Sequence, residues 1–318
     1  MAGPPVGLLV TRPTPTATFE LIVRAEEHGV PAAWSTGGGS HPDAVTLFAA
    51  AATHTRLITL GTAIVPIYPR HPLALASQAL VLGDLAPGRF RLGIGPSHRP
   101  MIEGIFGLPF VQPLAYLREY LTVLRQLLWE GQVDLAGEFL TAHATLPAGT
   151  PPPRTPLLIS ALRTHAFRLA GEIADGAISW MCPLPYLVQN ALPALRSGAA
   201  AAQRPAPPLI AHVPVAMHPD RDAVRAAVRQ RLGTYGRLPF YARMFAEAGY
   251  PPAADGTMPA ALFDELVVSG EPAQVAARLA EIRAAGMDEV LVHLVPVADE
   301  ATEEAALFTA LAAVDDAE

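Results

Sequence analysis

The sequence contains no lysine, so its 22 basic residues are all arginine. Because no side-chain amine is present, covalent catalysis through a lysine Schiff base is excluded. The chain also has a single cysteine, Cys182, which rules out an internal disulfide and a cysteine-based zinc cluster. Without a histidine partner in its sequence neighbourhood, Cys182 is interpreted as a small hydrophobic residue.

Positive charge and long apolar runs are also scarce. The formal net charge is −7, whereas a nucleic-acid-binding protein normally presents a basic face. Every stretch of about 18 residues contains a charged residue or a proline, so a membrane span is not predicted. The first residues lack the charged and apolar regions of a signal peptide. We therefore expect a soluble cytoplasmic protein with no nucleic-acid or membrane partner.

Several common catalytic motifs are missing. No Gly-x-Gly-x-x-Gly follows the first apolar run, which argues against an open dinucleotide-binding sheet. No Gly-x-Ser-x-Gly elbow, no His-x-x-x-His spacing and no carboxylate pair suited to glycoside hydrolysis is present. A serine hydrolase, a histidine-bound metal site and a glycosidase are therefore not predicted.

Short apolar runs alternate with helical patterns along the chain, of which 51% is hydrophobic. Continuous apolar runs are typical of parallel strands that are buried on both faces. The predicted strands are 6–10, 32–35, 57–65, 90–95, 157–160, 176–180, 209–216 and 289–295. Eight strand–helix units predict a closed (β/α)8 barrel of the α/β class. We expect one domain over residues 1–318, with irregular insertions at about 132–156 and 234–262.

In such a barrel the active site lies at the carboxyl ends of the strands. Small residues and hydroxyl groups dominate these positions. They are Thr36 after the second strand, Thr62, Ala63 and Ile64 after the third, Gly95 and Ser97 after the fourth, Ser160, Ala161, Leu162, Arg163 and Thr164 after the fifth, and Ser179 and Trp180 after the sixth. This lining suits a flat cofactor that carries its own reactivity.

Residues 160–164 join a strand to the start of a helix, where free backbone N–H groups attract phosphate. Arg163 adds a planar cation that can bind phosphate through two hydrogen bonds. On composition alone the simpler interpretation is preferred, in which Arg163 is solvated and Thr164 is the N-cap of the helix.

Two stretches carry a family resemblance. RLITLGTAIVPIYPRHPLALASQALVLGDLAPGRFRLGIGPSH (56–98) and LLISALRTHAFRLAGEIADGAISWM (157–181) resemble the luciferase-like monooxygenase superfamily, in its coenzyme F420-dependent branch. The resemblance covers nearly the whole chain in element order. It implies a barrel with the deazaflavin ring across the strand ends, a non-proline cis peptide around Thr62-Ala63-Ile64, and a phosphate site from Ala161 to Thr164. Relatives often carry Gly-Gly-Pro or Gly-Pro where this chain has Leu162-Arg163-Thr164.

The resemblance further implies that the chain is an F420-dependent oxidoreductase that acts on a small molecule. Members of the superfamily often form homodimers, so a homodimer is also expected. Well-known relatives carry an acidic–histidine pair directly after the second strand, but here Thr36-Gly37 stands there. Proton transfer would then come from His98, His41, water or the substrate. His98 could instead be a loop residue that caps the following helix. An FMN-dependent monooxygenase and a non-catalytic flavin-binding protein remain the alternatives. His212 and His293 are interpreted as barrel-interior residues.

Overall fold

The computed structural model describes residues 6–39 and 42–315. The strands are β1 (Val6–Leu9), β2 (Ala32–Ser35), β3 (Thr59–Thr62), β4 (Val65–Pro66), β5 (Phe90–Gly95), β6 (Gln132–Ala136), β7 (Thr141–Thr145), β8 (Leu157–Ser160), β9 (Gly176–Trp180), β10 (Leu209–Ala216), β11 (Val268–Ser269) and β12 (Glu289–Leu294). Within the described residues, eight of these strands pair in parallel in the ring order β1-β2-β3-β5-β8-β9-β10-β12, and β12 pairs with β1 to close it. The predicted (β/α)8 barrel is confirmed.

Helices surround the barrel. They are α1 (Pro15–Glu27), α2 (Ala44–Ala52), α3 (Pro72–Leu85), α4 (Arg99–Gly104), α5 (Pro113–Arg125), α6 (Thr164–Ile173), α7 (Leu184–Tyr186), α8 (Leu192–Ala201), α9 (Arg221–Leu232), α10 (Pro239–Glu247), α11 (Ala260–Leu266), α12 (Pro272–Ala284) and α13 (Glu300–Asp315), with π-helical turns at Gln126–Glu130 and Leu187–Ala191 and a 3₁₀ helix at Gly233–Arg237. Proline often stands in the first turn, where its missing N–H costs no hydrogen bond. None of the helices in the described ranges is both long and apolar enough to cross a membrane.

Side chains along each barrel strand point alternately outward and inward, and this divides the buried residues into two cores. Side chains that face outward pack against the helices, whereas the inward set forms a separate cluster inside the barrel. The buried members of the inner cluster are Leu9, Ala32, Trp34, Ala63, Leu158, Ile178, Ile210 and Leu291. The inner cluster fills the barrel, so this barrel is a packed core and not a pore.

A buried ion pair closes the amino-terminal end of the barrel. Glu289, 1% exposed, accepts hydrogen bonds from Arg91 at 2.6 and 3.1 Å and from the indole N–H of Trp34 at 2.8 Å. The guanidinium of Arg91 also lies 4.3 Å from the centre of the Trp34 ring. Gly61 leaves room for that ring, because a Cβ there would lie 2.4 Å from it. The opposite, carboxyl-terminal end is therefore where a ligand can enter.

The two insertions are more regular than expected. The prediction of an irregular segment over 132–156 is wrong for its first half, because β6 and β7 form an antiparallel hairpin. The carboxylate of Glu119 in α5 accepts the backbone N–H groups of Glu138, Phe139 and Leu140 at the hairpin turn. That contact spans about 20 residues and is invisible to local patterns. Residues 234–262 contain most of the 3₁₀ helix, all of α10 and the start of α11.

Candidate active site

The end of β3 bends into the barrel mouth. The peptide bond between Ala63 and Ile64 is cis, as predicted for residues 62–64. Neighbouring backbone holds this bend: Ala63 N–H donates to Ser35 O at 2.9 Å and Gly37 N–H donates to Ile64 O at 3.1 Å. The bend therefore joins the ends of β2 and β3 into one backbone surface.

Beside this bend, β5 and β8 approach each other closely. A Cβ placed on Gly95 would lie 2.1 Å from the hydroxyl oxygen of Ser160 and 3.3 Å from Cδ1 of Ile64. Only glycine allows this approach. The structure thus brings Ala63, Ile64, Gly95 and Ser160 together on one wall of the mouth. A wall made of backbone and small side chains can accept a flat ring.

The loop after β8 leads directly into α6. Ala161 is buried and its N–H donates to Ile178 O at 2.9 Å, while Leu162 and Thr164 are half-buried. Arg163, not Thr164, is the N-cap residue of α6, so the alternative placement of the cap is wrong. The cationic group is present at the helix start, where a phosphate would be held.

Arg163 is partly exposed, as the simpler interpretation of a solvated residue requires, but it also has a charged partner. Its guanidinium forms an ion pair with Glu247 at the end of α10, and its Nε donates to the same carboxylate at 3.1 Å. This hydrogen bond raises the pKa of Arg163, and the same contact lowers the pKa of Glu247. The Tyr186 hydroxyl donates to Glu247 at 3.3 Å. The group predicted to bind phosphate is therefore already shared with a carboxylate.

Two predicted cofactor contacts need correction. Thr62 is fully buried, and its hydroxyl donates to Gly93 O at 2.7 Å and accepts from Gly93 N–H at 2.8 Å. Ser179 follows the inward-facing Ile178 on β9, so its side chain faces outward, where it donates to Ile210 O at 3.3 Å. Both hydroxyls hold neighbouring strands together and do not face the mouth.

His98 borders the mouth after β5. Ser97 before it has a left-handed backbone (φ 60°), which is uncommon for a residue other than glycine and recurs at functional sites. His98 stands at the N-cap position of α4, but its side chain makes no capping hydrogen bond within the described part of the chain. The capping alternative is therefore confirmed for the position of His98 but not for its side chain. The imidazole lies 5.6 Å from the ring of Tyr241 and 6.1 Å from that of Tyr235.

Burial lowers the pKa of His98, so its imidazole is neutral at pH 7. Thr36 is half-buried at the end of β2. The second histidine of the prediction, His41, lies outside the described residues.

An aromatic cluster occupies the opposite wall, and of its members only Trp180 was predicted to lie at the site. The Trp180 ring lies 4.2 Å from His212 and stacks on His293 at 5.2 Å with an interplanar angle of 16°. Tyr235, from the 3₁₀ helix, lies 6.0 Å from Trp180. The other three members of the aromatic cluster lie on barrel strands, each two positions after a residue of the inner cluster. Trp180 follows Ile178, His212 follows Ile210, and His293 follows Leu291. That period-two spacing is the sequence signal that would have placed His212 and His293 in the mouth together with Trp180.

Both histidines have an unsatisfied ring nitrogen. Among the described residues, Nε2 of His212 and Nδ1 of His293 are buried with no hydrogen-bond partner. Burial lowers the pKa of His212, and it lowers the pKa of His293 to about 4. Both imidazoles are therefore neutral near pH 7. In the described ranges no three histidine, cysteine or acidic side chains are grouped to hold a metal ion.

Comparison with known proteins shows the family and the fold of this chain. The family model described as luciferase-like monooxygenase matches residues 2–289. An uncharacterized protein of Mycobacterium tuberculosis is 31% identical over 245 residues, which cover 73% of this chain and 72% of that protein. A protein of Beutenbergia cavernae named F420-dependent glucose-6-phosphate dehydrogenase is 34% identical over 199 residues, 61% of this chain and 59% of its own.

A solved structure described as an F420-dependent secondary alcohol dehydrogenase in complex with an F420-acetone adduct superimposes with a TM-score of 0.81. The match covers 98% of this chain and 99% of that one, at 18% identity. At this identity the similarity shows the fold alone.

Proposed function

Because the chain belongs to the luciferase-like monooxygenase family, we propose that it is a coenzyme F420-dependent oxidoreductase that moves a hydride between the deazaflavin and a small organic substrate. The observation that carries this proposal is the wall formed by the cis Ala63–Ile64 peptide, Gly95 and Ser160. It lies next to the start of α6, where Arg163 stands. A flat ring with a phosphate-bearing side chain matches both features.

The residues present fit this cofactor. When bound, F420 supplies the two-electron hydride chemistry, and the protein positions and shields it. Ala63 and Ile64 would support the ring, Gly95 would allow its edge to approach the backbone, and Arg163 with the loop at 161–164 would hold the phosphate. Neutral His98 would provide a polar group at the substrate, and His41 remains a second candidate for proton transfer.

The name of a sequence relative supports F420 over FMN. The Beutenbergia cavernae relative, 34% identical, is named as F420-dependent. That name does not give the substrate of this chain.

Fluorescence titration of the purified protein with F420 and, separately, with FMN tests the proposal. We expect saturable F420 binding and no comparable response to FMN. Tight FMN binding without an F420 response would instead support an FMN-dependent monooxygenase that uses reduced flavin and O₂. Binding of F420 without turnover of any member of an enone, imine and alcohol panel would support a non-catalytic flavin-binding protein.

We also infer that the chain is a single domain that acts as a homodimer in the cytoplasm. Two large apolar side chains on one face of α3 support the dimer: Val81 is 51% exposed and Leu85, four residues later, is 39% exposed. Covering such side chains is a common reason for association. Light scattering should give twice the chain mass, and Val81→Glu should shift the protein towards the monomer. A monomer at all concentrations would contradict the dimer.

A further inference from the structure

We propose that His212 and His293 form a paired hydrogen-bonding site for the reacting oxygen of an uncharged alcohol or carbonyl substrate. This proposal rests on the proposed function, because it places the substrate between the cofactor wall and the two histidines. It names a substrate class and adds two residues that contact the substrate.

The strand order places the pair opposite the cofactor wall. In the ring β1-β2-β3-β5-β8-β9-β10-β12, β10 is four strands from β3 in either direction, and β12 is four strands from β5. His212 therefore lies across the barrel from the cis peptide, and His293 lies across from Gly95. A ring supported by the cis peptide would turn its free face towards the two imidazoles.

The unsatisfied nitrogens point to a partner from outside the chain. Buried polar atoms in native proteins are almost always hydrogen-bonded, so each exception calls for a water, a ligand or a catalytic role. Here two such atoms, Nε2 of His212 and Nδ1 of His293, occur in rings whose centres are 6.0 Å apart. Both belong to the inward face of adjacent strands. Two exceptions in one place favour a shared ligand.

The protonation state of the pair selects the ligand. Burial and the mutual proximity of the rings lower the pKa of His212, while burial and the positive charge of Arg231 lower the pKa of His293. A neutral imidazole has one N–H donor and one acceptor nitrogen. Together the two rings can donate to and accept from one hydroxyl group, or donate to a carbonyl oxygen. They supply no positive charge to balance a carboxylate or a phosphate.

The groups packed around the pair are consistent with a small, uncharged ligand. Trp180 covers both imidazoles and Tyr235 lies over Trp180. Arg231, the charged group that affects His293, is exposed at the end of α9. Tyr235 belongs to the 3₁₀ helix and not to a barrel strand, so it contacts this cluster from outside the ring of strands.

NMR of the F420-loaded protein with isotope-labelled histidine tests the proposal. Acetone and acetate serve as probes because they have nearly the same shape and differ in charge, and acetone cannot be turned over by oxidised F420. We expect acetone to shift the ring signals of both histidines saturably, and acetate to leave them unchanged. His212→Phe and His293→Leu should each remove the acetone response. Both variants should keep F420 affinity within about threefold and thermal unfolding cooperative.

The outcomes separate this proposal from the proposed function. If F420 binds but acetone leaves both histidines unchanged, the pair holds only a buried water and the proposal is wrong. An equal response to acetate would overturn the uncharged substrate class. If the wild-type protein fails to bind F420, the proposed function fails first and the substrate site fails with it.

Discussion

Arg163 at the start of α6 is ion-paired with Glu247 at the end of α10. The contact ties the loop predicted to bind phosphate to the segment that carries Tyr241, which lies beside His98. A phosphate at the helix start would compete with the Glu247 carboxylate for the same guanidinium. Cofactor binding and the position of α10 are therefore physically connected.

Replacing Arg163 and replacing Glu247 should have opposite effects on F420 affinity. Arg163→Ala should weaken binding by about 1.5–3 kcal/mol, the range for a hydrogen bond to a charged group. Glu247→Gln should strengthen binding by up to about fivefold, since partly exposed ion pairs contribute about 0–1 kcal/mol. Fluorescence titration measures both effects. Arg168→Ala is the matched control, because Arg168 is more exposed and pairs with Glu172 within α6. Unchanged affinity in Arg163→Ala would refute the phosphate assignment.

Gly95→Ala should damage the cofactor wall. The new methyl group would lie 2.1 Å from the Ser160 hydroxyl, so that hydroxyl would have to rotate away or β5 and β8 would have to separate. We expect a loss of about 1–3 kcal/mol in the free energy of unfolding, typical of an overpacked core, and at least about tenfold weaker F420 binding. Gly104→Ala is the control, since a Cβ there meets no described atom within 4 Å. Similar results for the two variants would show that the close approach is unimportant.

Glu289→Gln should destabilise the fold without touching the mouth. Arg91 would keep its charge at the buried base of the barrel with no carboxylate beside it, which costs about 3–5 kcal/mol. Urea unfolding followed by circular dichroism measures the loss. Glu281→Gln, at the exposed pair with Arg278, should change stability by less than about 0.5 kcal/mol. The double replacement of Arg91 by Met and Glu289 by Leu should recover much of the lost free energy of unfolding, because it removes the unpaired charge. If the double variant is as unstable as Glu289→Gln, the unpaired charge of Arg91 is not the cause of the loss.

The protein should become less stable at acidic pH because His293 is protonated more readily in the unfolded chain. Its pKa is about 6.5 unfolded and about 4 folded, so between these values the unfolded chain binds more protons. The free energy of unfolding therefore decreases as pH falls from about 6.5 to about 4, by up to about 1.4 kcal/mol per unit, and is unaffected by this group above pH 7. His293→Gln should lessen the slope of urea-unfolding free energy in this window. Equal slopes for variant and wild type would contradict burial of a neutral imidazole.

The barrel was predictable because its information is local. Apolar runs such as 90–95 and 157–160 match strands in the structure, and the glycine and proline positions mark where helices begin and end. The position of the cis peptide followed from family resemblance and not from any physical signal in residues 62–64. The hairpin at 132–145 was missed because its order depends on Glu119, a residue on another element.

The amino-acid sequence by itself determined the fold class, the end of the barrel at which the site is predicted, and the exclusion of lysine and cysteine-zinc chemistry. These depend on composition and on periods of two and 3.6 residues, which are properties of neighbouring positions. Only the tertiary structure decided that the Thr62 and Ser179 hydroxyls bond to adjacent strands, that Arg163 pairs with Glu247, and which polar atoms remain unpaired. Those facts depend on distances between residues far apart in the chain, and such distances exist only once the ring of strands has closed.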